Sequence, residues 1–347
     1  MYCFVPFCTF NTLDVSGTGF QPEQTAIIYG KGSSLSQANY TRNRGKSKLI
    51  GMTLSRLLAD IANENGREDL ADSFWSCYYC QSSLTIHEGK SYGYYCRQRF
   101  CPMCSKIRKA ELINKYRPII QKWEDPYFVT ITVLACTALE LNAKIKKVKE
   151  VYELLTRRFK QQNKRGKGIK VMCVRSIECN YNPLAGTYNP HIHLIVPNRK
   201  VANLIMSTWL KTWGVWEATG EHQHKRKIRD LDHDLIETIK YGTKFFTEPN
   251  PRDKKTKVPR TIYIRAMYNI LVAMRNMKQF HYFGFKHPKI EKQEKQAPSV
   301  VIDFSNFDYH LGSADWIDTE TGNPLTAYQP DSDLLDMLQE RLDREAQ

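Results

Sequence analysis

IKVMCVRSIECNYNPLAGTYNPHIHLIVP, residues 169–197, decides how the rest of this chain is read. Two runs rich in Val, Ile and Leu flank a Pro- and Gly-bearing turn, NPLAGTYNP, so the stretch predicts two strands. Side chains alternate faces along a strand, so His191 and His193 point the same way with Ile192 between them. Two imidazoles on one face of an apolar strand are costly to bury unless something binds them. If the strands pair antiparallel, the carboxylate of Glu178 faces the same pocket. Two nitrogens and one oxygen with open positions suit a divalent ion acting as a Lewis acid. Glu178 as an edge-strand charge facing water is the competing reading.

Hydrolases that use a third alternating histidine are disfavoured, because that position is Ile195. A third function must come from elsewhere, and DHDLIETIKYGTKFF (232–246) supplies it as a helix with acidic residues at its start, as the helix dipole prefers. Glu237, Tyr241 and Lys244 stand at i, i+4 and i+7, along one helix face. By themselves they are read at least as well as a surface pair beside a half-buried tyrosine.

Cys77-x2-Cys80 and Cys101-x2-Cys104 form two CxxC pairs separated by twenty residues. Each pair makes a tight turn that aims both sulfurs at one ion, the four-thiolate pattern of a structural zinc ribbon. Cys96 and His87 lie between the pairs and are expected outside the shell. Arg97, Arg99, Lys106, Arg108 and Lys109 flank the motif, in positions suited to gripping phosphate. A closed four-thiolate site has no open position for water, so its role is structural.

The 347 residues are 41% hydrophobic and 12% aromatic, the composition of a folded protein with a sizeable core. The formal net charge is +15, and it is unevenly spread. Residues 297–347 hold 11 acidic and 2 basic side chains, which leaves 49 basic against 25 acidic elsewhere. So basic a body points to a polyanionic partner, with nucleic acid the better guess over a merely solvated surface. No leader pattern and no apolar stretch of about 20 residues is present, so a cytoplasmic location without membrane contact is expected. Ten cysteines, several in CxxC pairs, then favour metal over disulfides.

Residues 1–50 are expected to be a flexible segment and 51–122 a helix plus zinc module. Residues 123–288 would be the main domain and 289–347 an acidic tail with one short final helix, LLDMLQERL. PYFVTITVLAC (126–136) predicts a further strand. Basic helices are expected at 106–122, stopped near Pro118, and at 144–170, with a basic strand or loop in EHQHKRKIRD (221–230). Trp209, Trp213 and Trp216 recur at roughly helical spacing and are expected in the core rather than as base-stacking platforms; a solvent-facing aromatic such as Tyr188 or Tyr95 is the better candidate for stacking a base.

In order, the chain carries CRQRFCPMC (96–104), VTITV (129–133), HIH (191–193) and YGTK (241–244). That succession resembles the plasmid rolling-circle replication initiators of the HUH endonuclease superfamily, over roughly residues 76–285. The resemblance implies an α+β fold, a central antiparallel sheet with flanking helices, preceded by a small zinc-ribbon module. It implies a nuclease that nicks one strand of origin DNA. Tyr241 would be the nucleophile, joined to the 5′ phosphate and freeing a 3′ hydroxyl primer. His191, His193 and Glu178 would hold Mg²⁺ or Mn²⁺, Cys77, Cys80, Cys101 and Cys104 would hold Zn²⁺, and Lys244 would orient phosphate or ion. One subfamily places a glutamate four residues before the tyrosine, as Glu237 stands here, to activate water at termination. The resemblance also implies a host helicase and polymerase as partners. A transposase or mobilisation relaxase with the same chemistry is the nearest alternative. A non-catalytic zinc-ribbon DNA-binding protein is the alternative from another class.

Overall fold

The computed structural model describes residues 34–87, 90–239, 260–286 and 305–330. Among them a five-stranded antiparallel sheet forms around the two strands read above. These are β4 (Cys173–Asn182) and β5 (Thr187–Val196), paired with Glu178 opposite His191 and Ser176 opposite His193. On the far side of β5 runs β3 (Tyr127–Thr132), with Thr130 opposite His193 and Thr132 opposite His191. Edge strands β6 (His224–Lys227) and β7 (Phe280–Phe283) complete the order β6-β3-β5-β4-β7.

Alternation gives the sheet two different faces. Val129, Ile131, Ile177, Ile192, Leu194 and Val196 point into the larger core, beneath α4 (Leu141–Lys164) and α5 (Arg199–Trp213). Helix α4 forms because Leu141, Ile145, Val148, Tyr152, Leu155 and Phe159 recur every three or four residues and bury one stripe. Asn198 opens α5 by accepting a hydrogen bond from the Val201 amide. On the opposite face Val174, Ile195 and Phe280 pack under α3 (Pro102–Ile120) and α6 (Leu231–Thr238), through Tyr116, Ile120, Leu235 and Ile239. His191 and His193 share that second face with Ile195 by strand alternation. The basic helix α4 therefore lies across the sheet from the histidines. Only α3 and β6, of the three expected basic segments, border their face. Pro118 does not stop α3, which ends at Ile120.

A second antiparallel sheet, β2-β1-β8-β9, packs with α1 (Ser34–Glu64) and α2 (Glu68–Tyr78). Strands β1 (Ser83–His87) and β2 (Lys90–Gly93) belong to the cysteine segment, whereas β8 (Ser305–His310) and β9 (Asp315–Asp318) come from the stretch expected to be tail. That stretch supplies half the sheet and its most buried side chain. Trp316 is 0% exposed, donates its Nε1–H to the Gln81 carbonyl (2.6 Å) and lies under the Arg44 guanidinium. Buried Asp315 accepts hydrogen bonds from the amides of Trp316 and Thr326 and from the Thr326 hydroxyl. The expected final helix lies outside the described residues. Helix α1 also begins well before residue 50, inside the segment expected to be flexible.

Helix α7 (Arg260–Ala273) joins the two cores. Ile264, Met267 and Tyr268 enter the cysteine-side core, while Ala266, Ile270 and Ala273 enter the main one. After a short turn its run-out becomes β7. Gly284 follows at φ +85°, where a Cβ would stand 2.0 Å from the Val171 carbonyl oxygen, so only glycine fits. No helix among the described residues is long and apolar enough to cross a membrane.

Trp316→Ala should destabilise the protein by about 3–5 kcal/mol in urea unfolding, the range for a large buried aromatic. A loss under about 0.5 kcal/mol would mean that the C-terminal hairpin does not hold the second sheet together.

Candidate metal centres and active site

The register of β4 on β5 converges Glu178, His191 and His193, each buried, with one ligand atom apiece all within 4.8 Å. The Glu178 Oε2 stands 3.8 Å from His191 Nε2 and 3.7 Å from His193 Nε2, and the ring centroids are 4.7 Å apart. Those spacings exceed a direct hydrogen bond. Two donors each about 2.1 Å from one ion stand about 3.0–3.6 Å apart, so a small contraction admits a divalent ion.

The other ring nitrogens hold the imidazoles in place. His191 Nδ1 lies 3.0 Å from the Asn189 carbonyl oxygen, which can only accept, so Nδ1 carries the proton and a neutral ring leaves its Nε2 lone pair toward Glu178. His193 Nδ1 lies 3.0 Å from the Thr130 hydroxyl, and its ring packs against Phe128 at 5.2 Å. These are the outer-shell contacts that orient metal-binding histidines. Thr130 and Phe128 were not singled out from the sequence, although VTITV marks their strand.

Helix α6 crosses the same face and brings half-buried Glu237 with it. Asp230 caps it by accepting from the His233 amide, and Asp232 and Asp234 sit in its first turn. Two ion pairs tie it down. Arg117 of α3 binds Asp232 through two contacts of 2.5 and 3.0 Å, and Arg226 of β6 binds buried Asp234 through both guanidinium nitrogens. Arg226 also lies over the Phe128 ring, 4.9 Å away, which links helix, edge strand and His193 in one stack. Tyr241 and Lys244 lie outside the described residues.

The converging cysteines share three of the four expected ligands. The four thiols that converge are Cys80, Cys96, Cys101 and Cys104. Cys80 and Cys104 sulfurs are 3.5 Å apart and Cys96 and Cys104 sulfurs 3.7 Å, close to the about 3.8 Å between sulfurs on one tetrahedral zinc. The Cys104 amide donates to the Cys101 sulfur and the Gln98 amide to the Cys96 sulfur. Cys77, expected in the shell, sits in the last turn of α2 with its sulfur 3.8 Å from the Gly51 carbonyl of α1. It is a buried fifth thiol beside the group, and Cys96 takes the place that spacing gave to it.

Crowding pulls the Cys80 and Cys101 sulfurs in opposite directions. Donation from Cys104 first, then from Cys77 and Cys80, holds the Cys101 thiol well below its ordinary value, while Cys80 is pushed up, first by Cys101. A doubly charged ion is what lets four such thiols lose their protons together. Buried Lys48 adds a cation at the same place. Its Nζ donates to the carbonyls of Tyr78 (2.7 Å) and Cys80 (2.8 Å) and to the Ser82 hydroxyl (3.1 Å). Burial pulls this ammonium down to about 8, against the upward pull of Cys80 and Cys77.

Of the flanking bases Arg99 is turned into the fold, while Arg97 and Lys106 are exposed. Arg99 donates to the Met274 carbonyl (2.8 Å) and to that of Met277, just past α7; Lys106 reaches the Ser47 hydroxyl and Arg108 the Arg97 carbonyl. Tyr188, proposed for stacking, is buried at the Cys136 bridge with its hydroxyl accepting from Asn269. Trp209 and Trp213 are core, as expected, but Trp216 is 89% exposed. Helix α5 ends at Gly214, φ +74°, which breaks the helical spacing before Trp216.

The sequence profile of one protein family, described as Replication protein, matches residues 90–279. The chain belongs to the Replication protein family. The matched stretch contains Cys96, Cys101 and Cys104 and the whole Glu178–His191–His193 group, and begins after Cys77 and Cys80. Among curated relatives, Protein rep of Streptococcus pneumoniae serotype 2 is 30% identical over 41% of this chain and 46% of its own length. Protein rep of Staphylococcus aureus is 30% identical over 43% of this chain and 69% of its own length. Protein rep of Lactiplantibacillus plantarum is 27% identical over 64% and 72% respectively. The chain thus spans about half the length of the pneumococcal relative and about 70% of the other two. No solved structure matches it.

The sulfur geometry predicts that Cys96→Ser loses zinc, read by metal analysis of the purified protein, while Cys77→Ser retains it. The reverse pattern would restore the paired-CxxC shell.

Proposed function

We propose that this replication-family chain initiates plasmid replication by nicking one strand of origin DNA. The observation that carries this reading is the convergence of Glu178, His191 and His193 on the sheet face crossed by α6, the helix that carries Glu237 toward Tyr241. Family membership supports a role in replication, and the basic body, 49 basic against 25 acidic residues outside 297–347, supports DNA as the partner. Host helicase and polymerase then follow as partners, since a freed 3′ hydroxyl needs both to be extended.

Two imidazoles and a carboxylate suit a divalent cation, and of Mg²⁺ and Mn²⁺ the imidazoles fit Mn²⁺ better. When bound, such an ion supplies Lewis acidity to a phosphate oxygen and offsets the charge that develops on it. The chain's residues do the rest. The Tyr241 oxygen attacks the phosphorus, the bond from phosphorus to the 3′ oxygen breaks, and a 5′-phosphotyrosine and a 3′ hydroxyl remain. Its phenol, ordinarily near pKa 10, needs activation, and Lys244, three residues on in the sequence, is the candidate. At termination Glu237 takes a proton from water as general base, so that a second strand break needs no second tyrosine. Asn189 and Thr130 hold the two imidazoles in the ligating orientation. The Arg117–Asp232 and Arg226–Asp234 pairs hold α6 over them. Zn²⁺ in the four-thiol cluster has a structural part only, since four sulfurs close its shell.

Purified protein incubated with single-stranded origin DNA and Mg²⁺ or Mn²⁺ should form an SDS-resistant adduct that EDTA abolishes. Tyr241→Phe should form none. Glu237→Ala should still form the adduct but turn over at least about 100-fold more slowly at termination, the usual contribution of a general base. Binding without cleavage in every protein, with origin sequence and metal varied, would leave a zinc-ribbon DNA-binding protein instead.

A further inference from the structure

Trp216 and its neighbours form a surface that neither metal centre uses. Trp216 is 89% exposed, Val215 75% and Leu134 62%. Leu134 adjoins the tryptophan loop directly, because its amide donates to the Glu217 carbonyl at 2.7 Å. Exposed large apolar groups clustered in this way mark a contact surface rather than ordinary solvent-facing residues.

The loop that carries them is held at both ends. Gly214 caps α5, and its carbonyl accepts from the amides of Glu217 (3.2 Å) and Ala218 (3.0 Å). The Glu217 carboxylate is bound by Lys144 at 2.7 Å. Further on, the Gln223 side chain accepts from the Thr132 amide (2.8 Å) and donates to the Thr132 carbonyl (3.2 Å), extending β6 along β3 with side-chain atoms. Thr132 is the residue opposite His191. The exposed indole is therefore presented on a fixed backbone, at the end of α5 and joined through Gln223 to β3, the strand beside the histidine strand.

Its surroundings are basic. In sequence, exposed Lys211 precedes the loop and exposed Lys225 and Arg229 follow it, with Arg226 between them paired to Asp234; of the acids, Glu217 is taken up by Lys144 and Glu221 is exposed. A fixed aromatic among cations is the arrangement that stacks a base while the flanking charges follow the phosphates. Three apolar side chains fall far short of the roughly 20–30 residues a side of a stable protein interface, which disfavours a second copy or another protein as the occupant.

We propose that Trp216 stacks a base of single-stranded DNA led along the β6 edge of the sheet to the Glu178–His191–His193 site. This rests on the nicking function proposed above and adds to it a substrate contact outside the reacting atoms.

The test uses the full chain with a thymidine oligonucleotide, single-stranded or paired with its complement. The other five tryptophans are buried or half-buried, so quenching of long-wavelength tryptophan emission reports Trp216. Wild type should be quenched by the single strand. Trp216→Phe should bind it within about threefold of wild type without that quench, and Trp216→Ala should bind about 10- to 100-fold more weakly while keeping its affinity for duplex. The inference is overturned if Trp216→Ala binds the single strand as wild type does, if it loses duplex equally, or if it alters only self-association in sedimentation. Adduct formation by wild type in the same preparation separates the two claims. Adduct on origin DNA with no effect of Trp216→Ala, or with no binding of the thymidine strand by wild type, sinks this inference alone, whereas a wild type that forms no adduct overturns both.

Discussion

Pairing of β4 with β5 at the register that sets Glu178 against His191 is the constraint on which the site depends. Side chains alternate with period two, so a slip of one residue would send the carboxylate to the α4 face and leave two imidazoles alone under α6. The register is defended from both sides. Val174 and Ile195 anchor one face against α3 and α6, while Ile177, Ile192 and Leu194 anchor the other against α4 and α5. A slip would exchange these with the polar residues between them, at the cost of burying unpaired polar groups.

The cysteine centre and the histidine centre belong to different cores, yet one helix serves both. Helix α7 places alternate faces in each, and Arg99, from the stretch between Cys96 and Cys101, closes on the carbonyls that follow it. Those carbonyls lead directly into β7, the neighbour of Glu178's own strand. The thiol cluster is thereby tied, through Arg99, to β7, the edge strand beside the strand that carries Glu178.

Local periodicity made the centre of the fold legible. The alternating strand, its turn and the placement of Glu178 follow from residues within thirty positions of each other, and the pairing they imply is the one observed. What escaped depended on partners distant in sequence. Strands β8 and β9 are short, polar and acidic, and only their pairing with β1, more than two hundred residues away, makes Trp316 a core residue. Cys77 and Cys96 are equivalent as ligand types; the continuation of α2 through Cys77 turns its sulfur toward α1, which spacing alone does not reveal. Tyr188 is buried by a bridge to Cys136, and Trp216 is released by a glycine cap that interrupts a helical pattern. The helix expected over 232–246 ends at Thr238, with Ile239 as its C-cap, so Glu237 is placed whereas Tyr241 and Lys244, outside the described residues, stand as sequence expectations.

The most direct test of the account is pulsed electron paramagnetic resonance of Mn²⁺ bound to the purified protein. Two imidazole nitrogen couplings are predicted for wild type, one for His193→Ala, and two at reduced occupancy for Glu178→Ala. A spectrum without nitrogen coupling in wild type, or one unchanged by either substitution, would contradict a metal site built on the β4–β5 register.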